Sequence, residues 1–220
     1  MMKRIRSAML AALMLFALAA CGTKNEPVTS SGSQGKTERT SDSDLTSGTK
    51  VLVVYFSRIG EQYNVGTIDK GNTAIVAEMI AEKTGADLYE ILPETDYPYT
   101  YNALTDIAKK EQSKKARPKI KGELPDVCQY DTVFIGAPVW WEDWPMICYT
   151  FFENVDLSGK KLVPFSTHEG SGLSGFDRKL SSAVPDATVL TGQAFRGNDC
   201  QNDKSGVDSD ISKWLNGLGY

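Results

Sequence analysis

The sequence predicts a doubly wound α/β domain with five parallel strands in the order 2-1-3-4-5. Two observations predict it. Apolar runs of strand length alternate with stretches of helical period along residues 50–220, the pattern of a parallel sheet with helical crossovers. The first run, Val51 to Phe56, is apolar at every position, as expected of a strand buried on both faces. No internal repeat interrupts the alternation.

The elements follow in order. After the Val51–Phe56 strand, residues 72–83 carry apolar side chains at 75, 76, 79 and 80, a helical stripe ending before Gly85. Ala86 to Leu92 reads as the second strand, stopped by Pro93. Tyr101 to Lys115 reads as a helix with Leu104, Ile107 and Ala108 inward. Asp131 to Ile135 is the third strand and Met146 to Asn154 a helix. Lys161 to Ser166 is the fourth strand and Leu173 to Ala183 a helix. Ala187 to Phe195 holds the fifth strand, and Asp208 to Asn216 a last helix with Ile211, Trp214 and Leu215 inward.

Composition removes several functional classes. The chain has 220 residues and a net charge of −4, which argues against a nucleic-acid partner. Its one histidine, His168, excludes any site built from two. Cys21, Cys128, Cys148 and Cys200 form no C-x-x-C pair, so zinc ribbons and thioredoxin-type redox motifs are absent. A disulfide among the cysteines is open in an exported protein and is not deducible from spacing.

The first 49 residues read as something other than fold. Lys3, Arg4 and Arg6 precede an apolar run from Ala8 to Ala20, short for a bilayer span. Leu18-Ala19-Ala20-Cys21 resembles the lipobox of bacterial lipoproteins, in which the leader is cleaved and the cysteine carries lipid. The expectation is a signal peptide over 1–20, lipidation of Cys21, and export to the extracytoplasmic face of the cell membrane. Residues 22–49 hold only Val28 and Leu45 as large apolar side chains, too few to offset the entropy of ordering. They read as a tether with a typical end-to-end distance of roughly 30 Å.

Ligands of a doubly wound sheet lie at the carboxyl ends of its strands, and strands 1, 3 and 4 are neighbours there. Three unusual loops follow those strands. Ser57, Arg58 and the long polar loop up to Gly71-Asn72-Thr73 reach a helix N-terminus, where hydroxyls and free N–H groups suit a phosphate; ordinary capping explains the same residues. Pro138-Val139-Trp140-Trp141, with Trp144 close behind, offers a wall for a flat apolar ligand, or core packing. Thr167-His168-Glu169-Gly170-Ser171-Gly172 supplies the third loop.

Three further readings are weaker. Gly170 to Gly175 matches G-x-G-x-x-G, but on the fourth strand and without the acidic residue at the next strand end that a dinucleotide site needs. His168 has no G-x-S-x-G serine, so a hydrolase triad lacks its nucleophile, and a bond within its own loop is the plain alternative. Seven basic residues fall between Lys109 and Lys121 in an otherwise acidic domain. They form a solvated helix face, or a surface for anionic lipid or an acidic partner.

Taken together, Tyr55-Phe56-Ser57 with Gly71-Asn72-Thr73, Pro138 to Trp141, and Thr167 to Gly172 make the sequence similar to flavodoxins, above all the lipoprotein-linked flavodoxins of bacteria. The resemblance covers residues 50–220. It implies noncovalently bound FMN, with phosphate at Ser57, Asn72 and Thr73 and flavin loops at Pro138–Trp141 and Thr167–Gly172. One departure is an insert, Gly60–Lys70, between Ser57 and Gly71; it could cover the flavin or replace a phosphate donor. Arg58 is another, a charge in a loop usually uncharged. The function implied is a membrane-tethered electron carrier serving redox partner proteins. An FMN-dependent NAD(P)H:quinone-type reductase and a cofactor-free binding module are the alternatives on the same fold. Glu142, Asp143 and Glu169 near the ring would disfavour an anionic reduced flavin and lower its potential.

Overall fold

The computed structural model of the chain describes residues 50–220. The segments expected to be a signal peptide and a tether, with Cys21 between them, lie outside the described residues.

In chain order the elements are β1 (Val51–Tyr55), β2 (Gly60–Gln62), β3 (Gly66–Ile68), α1 (Asn72–Thr84), β4 (Asp87–Glu90), α2 (Tyr101–Lys114), β5 (Thr132–Pro138), α3 (Met146–Asn154), β6 (Lys161–His168), α4 (Phe176–Ala183), β7 (Thr188–Val189), β8 (Gln193–Arg196), α5 (Gly197–Asn202) and α6 (Lys204–Leu218). The main sheet is parallel and runs β4-β1-β5-β6-β7, with β8 also on β6. This is the predicted order, with the fifth strand divided in two. Leu162 faces Val189 and Phe165 faces Gln193, so two residues of β6 oppose three of the fifth strand. Pro164 lies in that interval and offers no N–H. The extra residue forms a bulge. Gly192 sits in it, where a Cβ would come within 2.6 Å of the Pro164 carbonyl oxygen.

Alternate residues of each central strand feed two cores, as the period of a strand requires. Leu52, Val54, Phe56, Val133 and Ile135 point to one face and pack with residues of α3 and α4. Val51, Val53, Phe134, Val163 and Phe165 point to the other and pack with α1 and α6. Ile211, Trp214 and Leu215 are buried as predicted; Cys148 of α3 is buried in the core on the opposite face. Ile107 is not; it is 38% exposed, and only Leu104 and Ala108 of α2 turn inward.

Three local differences have physical causes. Residues 60–68 of the insert form an antiparallel hairpin, β2 with β3. α4 begins at Phe176 rather than Leu173, because Ser174 and Gly175 take left-handed conformations with φ of 49° and 68°. α6 begins at Lys204 rather than Asp208, because the Asp203 carboxylate accepts the Gly206 N–H at 3.0 Å and caps it. α5 was not foreseen. Its Cys200 is buried, as is Cys148, while Cys128 is exposed; all three are free thiols. Among the described residues, no helix is long and apolar enough to cross a membrane, and no group of three potential metal ligands occurs.

Candidate functional site

A cleft of about 750 Å³ opens at the carboxyl ends of β1, β5 and β6. Those ends are aligned by register, Tyr55 beside Gly136 and Pro138 beside Thr167. Of the residues singled out in sequence, Ser57, Arg58, Asn72, Thr73, Pro138, Val139, Trp140, Trp141, Thr167, His168, Glu169, Gly170 and Ser171 line it. Gly71 and Gly172 are not among the lining residues.

The N-terminus of α1 forms one end. Ser57 turns back to it, and its Oγ accepts the Ala74 N–H at 3.1 Å. Gly71 lies against that turn; a Cβ there would collide with Ser57 Oγ and approach the Arg58 carbonyl to 2.7 Å. The N–H groups of Asn72 and Thr73 belong to the first turn and have no intrahelical acceptor. Thr73 is buried and shares a 2.7 Å hydrogen bond between its Oγ1 and that of Thr167, which joins the first and third loops. A hydroxyl both donates and accepts, so Thr73 can accept from Thr167 while donating into the cleft. Asn72 is engaged elsewhere: its Oδ1 accepts from Gln201 Nε2 of α5 at 2.7 Å.

Arg58 builds structure. Its guanidinium donates to the carbonyls of Glu61 at 2.6 Å, Pro98 at 2.9 Å and Tyr99 at 2.8 Å. Burial lowers its pKa, opposed by Glu61. It binds the hairpin to the segment before α2, and Glu61 adds a bond from the Tyr101 N–H at 2.9 Å.

The three tryptophans of the second loop have three fates. Trp144 is core, stacked on Phe176 at 3.7 Å between ring centroids. Trp140 is half-buried, edge-on to Phe56 at 5.3 Å and to Tyr97 at 4.9 Å. Trp141 is 47% exposed; its indole N–H donates to the Thr105 carbonyl at 3.0 Å, and Lys109 Nζ lies 4.9 Å from its ring centroid. A tight turn makes this division. Trp140 and Asp143 exchange backbone hydrogen bonds of 2.9 and 3.0 Å, while Trp141 and Glu142 both take positive φ, 50° and 59°.

In the third loop, His168 Nδ1 accepts the Gly170 N–H at 2.8 Å, the within-loop bond that the sequence offered as the plain alternative. Burial lowers its pKa, against the pull of Glu169. Ser166 donates to the Gly172 carbonyl at 2.9 Å. Glu169 accepts from the Asn198 N–H at 2.6 Å and from Arg196 Nε at 3.2 Å, so it serves the start of α5. The other two acidic residues are also engaged. Glu142 accepts from Ser174, and Asp143 from Tyr149 and the Trp144 N–H, with Lys179 3.4 Å away. The three carboxylates expected to act on a flavin ring are thus partnered by protein groups.

A further wall comes from the hairpin and α2. Gln62, Tyr63, Val65, Tyr101, Leu104 and Thr105 line the cleft, and Tyr63 stacks on Tyr101 at 5.8 Å. The inward stripe of α2 was readable as core; nothing in the sequence aimed it at the site.

A family model described as Flavodoxin matches residues 50–216. The crystal structure of a candidate flavoprotein from Bacteroides eggerthii aligns at 32% identity with a TM-score of 0.63, over 79% of this chain and 99% of its own. One from Bacteroides uniformis aligns at 28% identity with a TM-score of 0.62, over 77% and 99%. A flavoprotein from Lactobacillus acidophilus, crystallised in complex with FMN, aligns at 23% identity with a TM-score of 0.53, over 71% and 98%. No curated protein matches the chain.

Proposed function

The chain belongs to the flavodoxin family, and on that premise we propose that it is an FMN-binding electron carrier, held at the extracytoplasmic face of the cell membrane by lipid on Cys21. One observation carries the cofactor part: three loops, at the ends of β1, β5 and β6, meet in a single cleft with a helix N-terminus at its end. The FMN held by the Lactobacillus acidophilus relative supports it.

The residues fit the group. The first turn of α1 offers N–H groups at the positive end of a helix dipole, a site for a phosphate dianion. The Thr73 hydroxyl adds a donor fixed in place by Thr167. Ser57 contributes by holding the turn, and Gly71 by letting the chain pass it. Trp140 and Trp141 supply the apolar surface for the ring, and residues 167–172 its polar edge. FMN, when bound, supplies the redox chemistry; the protein supplies binding, orientation and electrostatics.

The test is the visible spectrum of the purified protein. A flavin spectrum, with FMN and not FAD released on denaturation, is expected. An apoprotein that stays colourless after incubation with excess FMN would leave the cofactor-free module.

One observation favours a second reading. The cleft continues past the three loops along Tyr63, Val65, Tyr101 and Leu104, leaving a wall that a second ligand of a reductase could use. Rapid NADPH-dependent quinone reduction by the purified protein alone would select the enzyme; its absence, with fast one-electron exchange, selects the carrier.

A further inference from the structure

The charge of residues 50–220 is sharply divided. Residues 109–121 contain seven basic side chains and one acidic, Glu111; the rest of 50–220 contains eleven basic and twenty-three acidic. All seven basic side chains are exposed. Arg117 pairs with Glu153 at 2.7 Å and Lys119 with Glu94 at 3.5 Å. Among the described residues, Lys109, Lys110, Lys114, Lys115 and Lys121 make no ion pair. Glu111 accepts from the Tyr97 hydroxyl at 3.0 Å and forms no ion pair with these lysines.

The fold sets this charge beside the cleft. α2 lines the cleft with Leu104, Thr105, Ala108 and Gln112 and carries its lysines on the outer side. Lys109 sits on the exposed ring of Trp141, and Gln112 Nε2 donates to the Trp141 carbonyl at 2.9 Å. The rim of the cleft and the basic patch are therefore continuous at Trp141.

We infer that this face of α2, from Lys109 to Lys115 with Trp141 at its edge, is the docking surface for a protein partner that presents an acidic face. The inference rests on the carrier reading for its purpose, since a carrier must bring its partner close to the cleft. The charge pattern carries the chemistry: a cationic face on an anionic domain orients an acidic partner toward itself and repels it elsewhere. An anionic bilayer is the other ligand for lysines. It fits less well, because α2 exposes only Ile107 among its large apolar residues and has no stripe to insert. Lipid on this face would also lie against the rim of the cleft.

The test uses the full chain reconstituted in phosphatidylcholine vesicles, with zinc-substituted rubredoxin as the probe, a small acidic protein that exchanges no electrons. Its association rate is expected to fall as salt rises. In K110E/K114E/K115E it should fall by roughly tenfold or more at low salt, with flavin content unchanged. K110Q/K114Q/K115Q should give an intermediate rate, which separates charge from any folding defect. An association rate equal in wild type and charge-reversed variant overturns the inference. So does the absence of probe binding together with a shift in tryptophan emission, on adding phosphatidylglycerol to the vesicles, that the charge-reversed variant lacks; that result assigns the face to lipid. The probe carries no electrons and needs no flavin, so a colourless protein would sink the cofactor reading and still leave the docking result readable.

Discussion

At the scale of single residues, Thr73 separates phosphate contact from helix structure. A hydrogen bond from its hydroxyl to a charged group is worth about 1.5–3 kcal/mol. Thr73→Ala should weaken FMN roughly tenfold to a hundredfold while leaving riboflavin, which lacks the phosphate, nearly unchanged. Fluorescence titration of both ligands checks this; equal losses would mean that the hydroxyl serves only Thr167. The tryptophans differ among themselves. Trp144→Ala removes a fully buried ring and should cost about 3–5 kcal/mol in chemical denaturation, whereas Trp141→Ala should leave stability nearly unchanged and weaken FMN and riboflavin alike. His168 gives a pH dependence. Its folded pKa is depressed, so its contribution to the third loop is present above the ordinary histidine pKa and lost as pH falls through the lowered folded value. Protonation at Nδ1 removes the acceptor for the Gly170 N–H. The Gly170 amide resonance in ¹⁵N spectra should therefore shift and broaden toward acid, and His168→Ala should abolish that titration.

At the scale of elements, the insert is a fixed wall. The hairpin is fastened by the three Arg58 bonds, by the Glu61 bond to the Tyr101 N–H, and by the stack of Tyr63 on Tyr101. Arg58→Ala should release it. Limited proteolysis is expected to cut between Ile59 and Lys70 in that variant and not in the wild type, with a stability loss of about 1.5–3 kcal/mol for lost bonds to a charged donor. Unchanged cleavage would mean that the tyrosine stack alone holds the hairpin. The insert was visible in sequence as a polar interval of unusual length, but its hairpin was not. Its strands have three residues each, below the length at which alternation is readable. The division of the fifth strand has the same character. Its cause, Pro164, sits on the neighbouring strand, and only the pairing on either side brings it against Gly192.

At the scale of the whole molecule, the chain combines an acidic domain, one basic face and an N-terminal segment outside the described residues. If Cys21 carries lipid, Cys21→Ser should move the protein from the membrane to the soluble fraction, as followed by centrifugation and immunoblot. Detergent-dependent fractionation that persists would count against the lipobox. Cys148 and Cys200 are buried, and burial pushes the Cys200 thiol up to about 12. Thiol reagents should label Cys128 before either of them, and global unfolding should be needed for the remaining two.

The fold class and the meeting of the loops were legible in the residue pattern alone. Hydrophobic period fixes which segments are strands, the run at Val51–Phe56 marks a central strand, and parallel order then brings the ends of strands 1, 3 and 4 together whatever their side chains. Loop motifs were legible for the same reason: they are local, and they lie where topology must put them. What each loop residue touches was set by packing. Whether Arg58 faces a ligand or, beyond its neighbour Glu61, the carbonyls of Pro98 and Tyr99, whether Glu169 faces the cleft or the start of α5, and which tryptophan of three is core all depend on partners 27 or more residues away in the chain. Such contacts are set by packing at close range between distant segments, and neither periodicity nor composition encodes them.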